Sequence, residues 1–266
     1  MQIILDSLIH PTINGKWITS SKPTSFAHIN ELISIKDIKY FACAVGISGI
    51  SNYSHDTFMK ECKKYSNLIP IAGINPELSS NLDTELHYIQ ELGYKGIKIH
   101  PKLNNLSFTS KKLDILFKKA ANLNLPIFLC TYNYQNSLNM LNNNFQNLVK
   151  LINSNLKTKI VLLHGGDVEI KKYMELVRSN KNLILDLSFT ILKYKGSSLD
   201  LDLKYLFNNF DQRICIGSDY PDFTPLELIE RIDELSNNIS NCKKDNITLN
   251  AGSSYISDLM IYDLIS

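Results

Sequence analysis

Eight short runs rich in Ile, Val and Leu recur along this chain, each too short for a helix and each separated from the next by a longer stretch, most of them amphipathic. That is the pattern of parallel strands buried on both faces and joined by helical crossovers. The runs are Gln2–Asp6, Tyr40–Ile47, Leu68–Asn75, Lys95–His100, Pro126–Thr131, Lys159–His164, Leu183–Ser188 and Arg213–Asp219. Helices are predicted between them over Ser54–Tyr65, Asp83–Leu92, Ser110–Asn122, Ser137–Asn153, Val168–Ser179, Leu199–Phe207 and Pro225–Leu235, with one more beginning near Ser25. Ser110, Asp167 and Thr224 stand where an N-cap oxygen would satisfy free backbone amides.

Such alternation closes either as a (β/α)8 barrel or as an open doubly wound sheet. The open sheet carries a Gly-rich phosphate loop after its first strand, whereas here the strand leads into Ile9-His10-Pro11. The 266 residues match one α/β barrel of about 250, so a single barrel domain over 1–266 is expected. Pro11–Lys39 reads as a long first βα loop and Asn246–Ser266 as a closing helix.

A formal charge of +2 with no basic stripe gives no footprint for nucleic acid. No apolar stretch approaches the ~18 residues of a membrane span, and Met1–His10 lacks a basic leader. Cys43, Cys62, Cys130, Cys215 and Cys242 are scattered and odd in number, which fits a reduced, cytoplasmic setting.

Chemistry collects at the strand ends. His10, His100, Cys130, His164 and Asp219 each lie at or just after the C-terminal end of a predicted strand, the catalytic rim of a barrel. Strand side chains alternate, so Lys98 shares a face with His100 and is expected in the barrel mouth. Trp17, Tyr132, Tyr134 and Tyr220 are candidate walls of a small-molecule cleft.

The segments Gly96-Ile97-Lys98-Ile99-His100-Pro101, Leu163-His164-Gly165-Gly166 and Gly217-Ser218-Asp219-Tyr220-Pro221 resemble, in order and spacing, those of the amidohydrolase superfamily, specifically its amidohydrolase-related hydrolases and decarboxylases. Asp186-Leu187-Ser188 and Asn250-Ala251 extend the likeness over nearly the whole chain. The resemblance implies a TIM barrel in which Asp219 is a metal ligand and proton acceptor and His164 polarises substrate or shuttles protons. The family opens with Asp-x-His-x-His, but this chain reads Asp6-Ser7-Leu8-Ile9-His10, and Cys130 stands at the fifth-strand histidine. Two of four implied ligand positions are therefore changed.

Catalytic zinc generally uses three protein ligands plus a water. His10 and Asp219 supply two, and Cys130 or His100 could complete a rebuilt site for one divalent ion, zinc or manganese. The metal-free alternative uses Asp219 as general base for water, with His164, His100 or Lys98 stabilising the developing oxyanion. Lactone-opening members of the superfamily work without metal. The fourth-strand lysine of two-metal relatives is carboxylated, but Leu8 removes the partner ligand, so a free Lys98 ammonium meeting a substrate carboxylate is expected.

Each residue also has a bland role. His10 could cap a loop, His100 could be a hydrogen-bonded strand end, Cys130 a small buried hydrophobe, Lys98 an internal ion pair. Asp186 could only hold a loop or orient His164, Trp17 could pin the first loop, and His28, His55 and His87 are expected at the surface. The functional expectation is hydrolysis of a C–O or C–N bond in a lactone, ester or amide of a small, anionic molecule. Its alternatives are decarboxylation or hydration, or a degenerate barrel that binds a ligand or partner. The resemblance also implies pairing as a homodimer.

Overall fold

The computed structural model describes residues 2–50, 52–132, 143–210 and 213–238. Tyr134, Cys242, Asn250-Ala251, the start of the helix expected from Ser137 and the closing helix expected over 246–266 lie outside the described residues.

The eight apolar runs form eight parallel strands: β1 (Gln2–Ile9), β2 (Ile38–Val45), β3 (Leu68–Gly73), β4 (Ile97–Ile99), β5 (Ile127–Cys130), β6 (Ile160–Leu163), β7 (Leu183–Asp186) and β8 (Ile214–Cys215). They hydrogen-bond in sequence order. Beyond β8 the chain bridges back to β1, pairing Asp6 with Ile216 and Ile9 with Tyr220. The Ser7 amide donates to the Ile216 carbonyl at 2.9 Å and the Asp219 amide to the Leu8 carbonyl at 2.9 Å, which closes the barrel.

Alternation along each strand divides two apolar populations. Leu5, Leu8, Phe41, Cys43, Val45, Ile69, Ile71, Phe128, Val161, Leu163, Ile184 and Cys215 pack together inside the barrel. Their strand neighbours, such as Ala42, Ala44, Ile127, Leu129, Ile160 and Leu162, face outward into the larger core under the helices. The interior is thus a packed plug, and polar groups can gather only above it.

The helices are α1 (Phe26–Ile33), α2 (His55–Cys62), α3 (Leu82–Leu92), α4 (Lys111–Asn122), α5 (Phe145–Asn153), α6 (Ile170–Ser179), a single turn α7 (Thr190–Lys193), α8 (Leu199–Asn209) and α9 (Pro225–Asn238). In α4 the buried Leu113, Leu116, Phe117 and Ala120 fall on one face at helical spacing. Ser110 accepts from the Leu113 amide as expected of an N-cap. Thr224 and Glu227 exchange hydrogen bonds as a capping box, with Pro225 in the first turn. Asp167 departs from expectation: it caps nothing and has φ 60° and ψ −122°, inside a tight turn that delays α6 to Ile170. β8 is also shorter than the run Arg213–Asp219, because past Cys215 the chain bends to follow β1 through separate bridges. Among the described residues, no helix is long and apolar enough to cross a membrane.

Phe128 is fully buried in the interior plug. Phe128→Ala is expected to remove about 3–5 kcal/mol of unfolding free energy in urea titration. A loss below about 1 kcal/mol would mean that this layer is not tightly packed.

Candidate active site

Strand periodicity that builds the plug also lifts the next inward residues to its top: Lys98 from β4, Cys130 from β5 and Asp186 from β7. Loops immediately after the strands add His10, His100, His164 and Asp219. All seven are buried.

Asp219 is the centre. One carboxylate oxygen lies 3.2 Å from His10 Nε2, and the other lies 4.0 Å from His164 Nδ1. Burial would raise its pKa, but the His10 hydrogen bond and the nearby His164, His10 and Lys98 charges outweigh that and hold the carboxyl below its ordinary value. His10 is oriented from behind: its Nδ1 donates to the Val45 carbonyl at 3.1 Å, and Trp17 stacks on the ring with centroids 4.7 Å apart.

His164 sits in left-handed backbone at φ 67°, as does Asp219 at φ 56°. Such strain in non-glycine residues persists only where surroundings over-determine it. Here they do. The His164 amide donates to Asp186, its carbonyl accepts from Thr190 Oγ1 at 2.8 Å, and its Nδ1 donates to the Ser188 carbonyl at 3.1 Å. The turn that follows needs glycine, since a Cβ at Gly166 (φ 73°) would fall 2.0 Å from the Tyr173 ring.

A second group adjoins the first. Burial would raise the Cys130 thiol pKa, but the charges of His100 and His164 beside it hold it well below the ordinary range. His100 Nδ1 accepts from the Leu103 amide at 3.3 Å, so the proton of its neutral ring is on Nε2. Burial lowers the His100 pKa against the opposing pull of Cys130. For His164 burial also lowers, yet Cys130 and Asp219 win, and its pKa rises to about 9. Lys98 is 1% exposed, interacts with the charges of Cys130, Asp219 and Asp186, and makes no hydrogen bond among the described residues. Burial lowers its pKa.

Cys130, Thr131 and Tyr132 open onto a cavity of about 490 Å³, with Phe108, Phe145 and Tyr173 as apolar walls and Lys102, Lys172 and Glu169 at its polar edge. Tyr132 lies edge-on to His164 and Phe189, and its hydroxyl hydrogen-bonds Lys193. Tyr220 does not join this wall: it is 2% exposed, packs in the outer core and donates to the Pro23 carbonyl at 2.7 Å, pinning the first loop. His55 is not a surface residue either, because it bridges Tyr53 (2.8 Å) and Glu85 (3.3 Å) between α2 and α3. His87 is exposed, and His28 is half-buried beside Tyr220.

The donors do not fit the family's metal. Among the described residues no group of three or more His, Cys, Asp or Glu side chains is arranged to hold an ion. His10 and Asp219 pair with each other, and Leu8 is sealed in the apolar plug.

Two buried carboxylates were less visible in the sequence. Asp6 accepts from the Leu8 amide (3.1 Å), the Ser218 amide (3.0 Å), Ser218 Oγ (2.6 Å) and Tyr40 (2.8 Å). Burial still pushes its pKa up to about 7. Asp186 accepts from Ser7, from the Ser188 amide and hydroxyl, and from the His164 amide, so it orients His164 through the backbone.

A family profile described as amidohydrolase matches residues 53–237, and the chain belongs to that family. It is an enzyme of the amidohydrolase type. The match takes in Lys98, His100, Cys130, His164 and Asp219 and begins after His10. No curated protein matches the sequence. Among solved structures, an uncharacterised TIM-barrel protein from Bordetella bronchiseptica is similar at TM-score 0.75 and 14% identity, covering 97% of this chain and 99% of that one. A probable 2-pyrone-4,6-dicarboxylic acid hydrolase from Acinetobacter baumannii, with citric acid bound, is similar at TM-score 0.68 and 14% identity over 96% and 98% of the two chains. A 5-carboxyvanillate decarboxylase from Novosphingobium aromaticivorans, with bound manganese, gives 0.64 and 12% over 96% and 97%. These likenesses show the shared barrel.

If Leu8 and Cys130 are what break the ligand set, restoring both histidines should rebuild it. The double variant Leu8→His with Cys130→His is expected to copurify with about one zinc or manganese per chain by elemental analysis, against a small fraction in the wild type. Equal metal in both proteins would refute this account of the donors.

Proposed function

We propose that this enzyme hydrolyses a lactone, ester or amide of a small anionic molecule, using its own side chains as acid and base. The observation that carries this reading is the buried Asp219 carboxylate at the C-terminal end of the barrel, 3.2 Å from His10 Nε2 and 4.0 Å from His164 Nδ1. A water hydrogen-bonded to Asp219 would attack the acyl carbon and lose its proton to that carboxylate as the bond forms; the bond from that carbon to the leaving oxygen or nitrogen then breaks, and the leaving atom takes the proton back from Asp219. A pKa below the ordinary range makes Asp219 a weak base, so the developing oxyanion must be strongly stabilised. His164, protonated up to about 9, and Lys98 supply that positive charge.

An anionic substrate is favoured because Lys98 places a buried amine near Asp219, and Lys102 edges the cavity together with Lys172, which pairs with Glu169. The similar pyrone-dicarboxylate hydrolase, whose structure holds citric acid, fits the same chemistry. Decarboxylation is the second reading, favoured by the fold shared with the carboxyvanillate decarboxylase. Reading out acid formation and carbon dioxide release side by side on a panel of carboxylated lactones separates the two.

Asp219→Asn is expected to lower kcat/KM by on the order of 10³-fold or more. A binding protein would keep most of its affinity in the same variant, and full retention of turnover would overturn the role of Asp219. The pH profile has a definite sign. Asp219 is ionised from below the ordinary carboxylate value upward, and His164 loses its proton only near 9. Activity should therefore hold through neutrality and fall as pH rises through about 9; a fall centred near the ordinary histidine value of about 6.5 would contradict the assignment.

A further inference from the structure

One cation of the rim is held by aromatic rings and not by a carboxylate. Lys193 ends the turn α7 and is exposed. Its ammonium lies 4.6 Å from the centre of the Tyr132 ring and 5.0 Å from those of Phe189 and Tyr194, and it donates a hydrogen bond to the Tyr132 hydroxyl. Ring faces attract a cation through their quadrupole but leave its charge in place. Lys195 and Lys172 provide the contrast, paired with Glu234 at 2.7 Å and with Glu169. Among the described residues no carboxylate comes within ion-pair distance of Lys193, and Asp167 acts on it only from farther away. Burial lowers the Lys193 pKa, but the Tyr132 and Tyr194 hydroxyls outweigh that and raise it.

The rings that hold Lys193 also flank His164. Tyr132 lies edge-on to the imidazole at 5.9 Å and Phe189 at 6.1 Å. They follow β5 and β7, the strands on either side of the one that ends at His164. Phe189 keeps this place in left-handed backbone at φ 64°, which a bulky side chain rarely adopts and which concentrates at functional sites. Thr190, in the same turn as Lys193, donates to the His164 carbonyl at 2.8 Å. Tyr132 also lines the 490 Å³ cavity, so the cation stands where that cavity and His164 share a wall.

We propose that Lys193 binds the carboxylate of the substrate, forming with Tyr132 and Phe189 an anion subsite one ring away from His164. This rests on the hydrolytic reading above and gives it a specificity: a small acyl compound whose carboxylate stands about one ring's width from the carbonyl presented at His164. An ammonium has three N–H donors, and the bond to Tyr132 leaves donors for an incoming carboxylate. Three rings and a hydroxyl already fix the lysine, so little side-chain freedom is lost when the anion arrives. Lys98, 1% exposed, is too deep for that contact and stays with the reacting groups.

The test uses the full chain with two probes, 2-pyrone-4,6-dicarboxylate and uncharged 2-pyrone, and reads calorimetric binding beside ring opening. Lys193→Met is expected to weaken binding of the dicarboxylate on the order of 10- to 100-fold and to raise KM by a like factor, with kcat moving less. Lys193→Arg should recover much of the loss, and neither variant should change the response to 2-pyrone. Tyr132→Phe, which removes the hydroxyl that aims the ammonium, should give a smaller loss in the same direction. Dicarboxylate binding unchanged in Lys193→Met would overturn the subsite and, where the wild type opens the ring, leave the hydrolytic reading standing. Binding that depends on Lys193 with no ring opening by the wild type would support the subsite and count against hydrolysis. Equal losses on both probes, or no binding of the dicarboxylate by the wild type at millimolar concentration, would overturn the subsite. The Lys193→Arg variant keeps the charge, so its recovery separates lost recognition from lost folding.

Discussion

Closure of the barrel between its last and first strands is the constraint on which everything else hangs. β8 pairs with β7 over only Ile214 and Cys215, so the seam to β1 depends on a few backbone bonds and on two buried carboxylates. A buried carboxylate is costly unless its oxygens are satisfied. Asp6 and Asp186 each accept from four donors, drawn from β1, β2 and the loops after β6, β7 and β8. The donors Ser218, Ser188 and the His164 amide are, or adjoin, the residues of the site. Tying the seam therefore also aims Asp219 and His164. Gly217 is part of that knot, since a Cβ there would fall 2.7 Å from Ser7 Oγ and 2.9 Å from Asp6 Oδ1.

Much of the barrel was legible in the sequence because burial on both faces leaves a plain mark: β5 and β6, Ile127–Cys130 and Ile160–Leu163, are unbroken apolar runs whose ends need only be trimmed. α4 was equally plain, with its Ser110 cap and periodic leucines. What was not legible depends on contacts far apart in the chain. Asp167 looks like a cap, yet the two left-handed glycines before it turn the chain so that α6 starts later. Tyr220 looks like a pocket wall because it follows Asp219, but its hydroxyl is held by the Pro23 carbonyl, 197 residues earlier.

The site residues divide the same way. Strand position alone brought His10, Lys98, Cys130, His164 and Asp219 to one end of the barrel, which is a geometric consequence of parallel strands and short loops. Pairings among them could not be read from spacing. That Asp219 lies between His10 and His164 follows from loop conformations at φ 67° and 56° that residue type does not advertise.

Charge balance then connects the altered ligand positions to the chemistry. A buried anion must be compensated by a neighbouring cation or by dense hydrogen bonding. In the family's pattern a divalent ion does this for the last-strand aspartate. Here His10, His164 and Lys98 perform it, and their combined pull outweighs the burial of Asp219. Asp186 and Cys130 also act on Lys98, and Cys130 acts on His164, so the charges of the cluster are shared among several partners and not between one pair. At the fifth-strand end the thiol of Cys130 stands where the family's pattern has a histidine, and His100 and His164 favour its ionised form against the cost of burial.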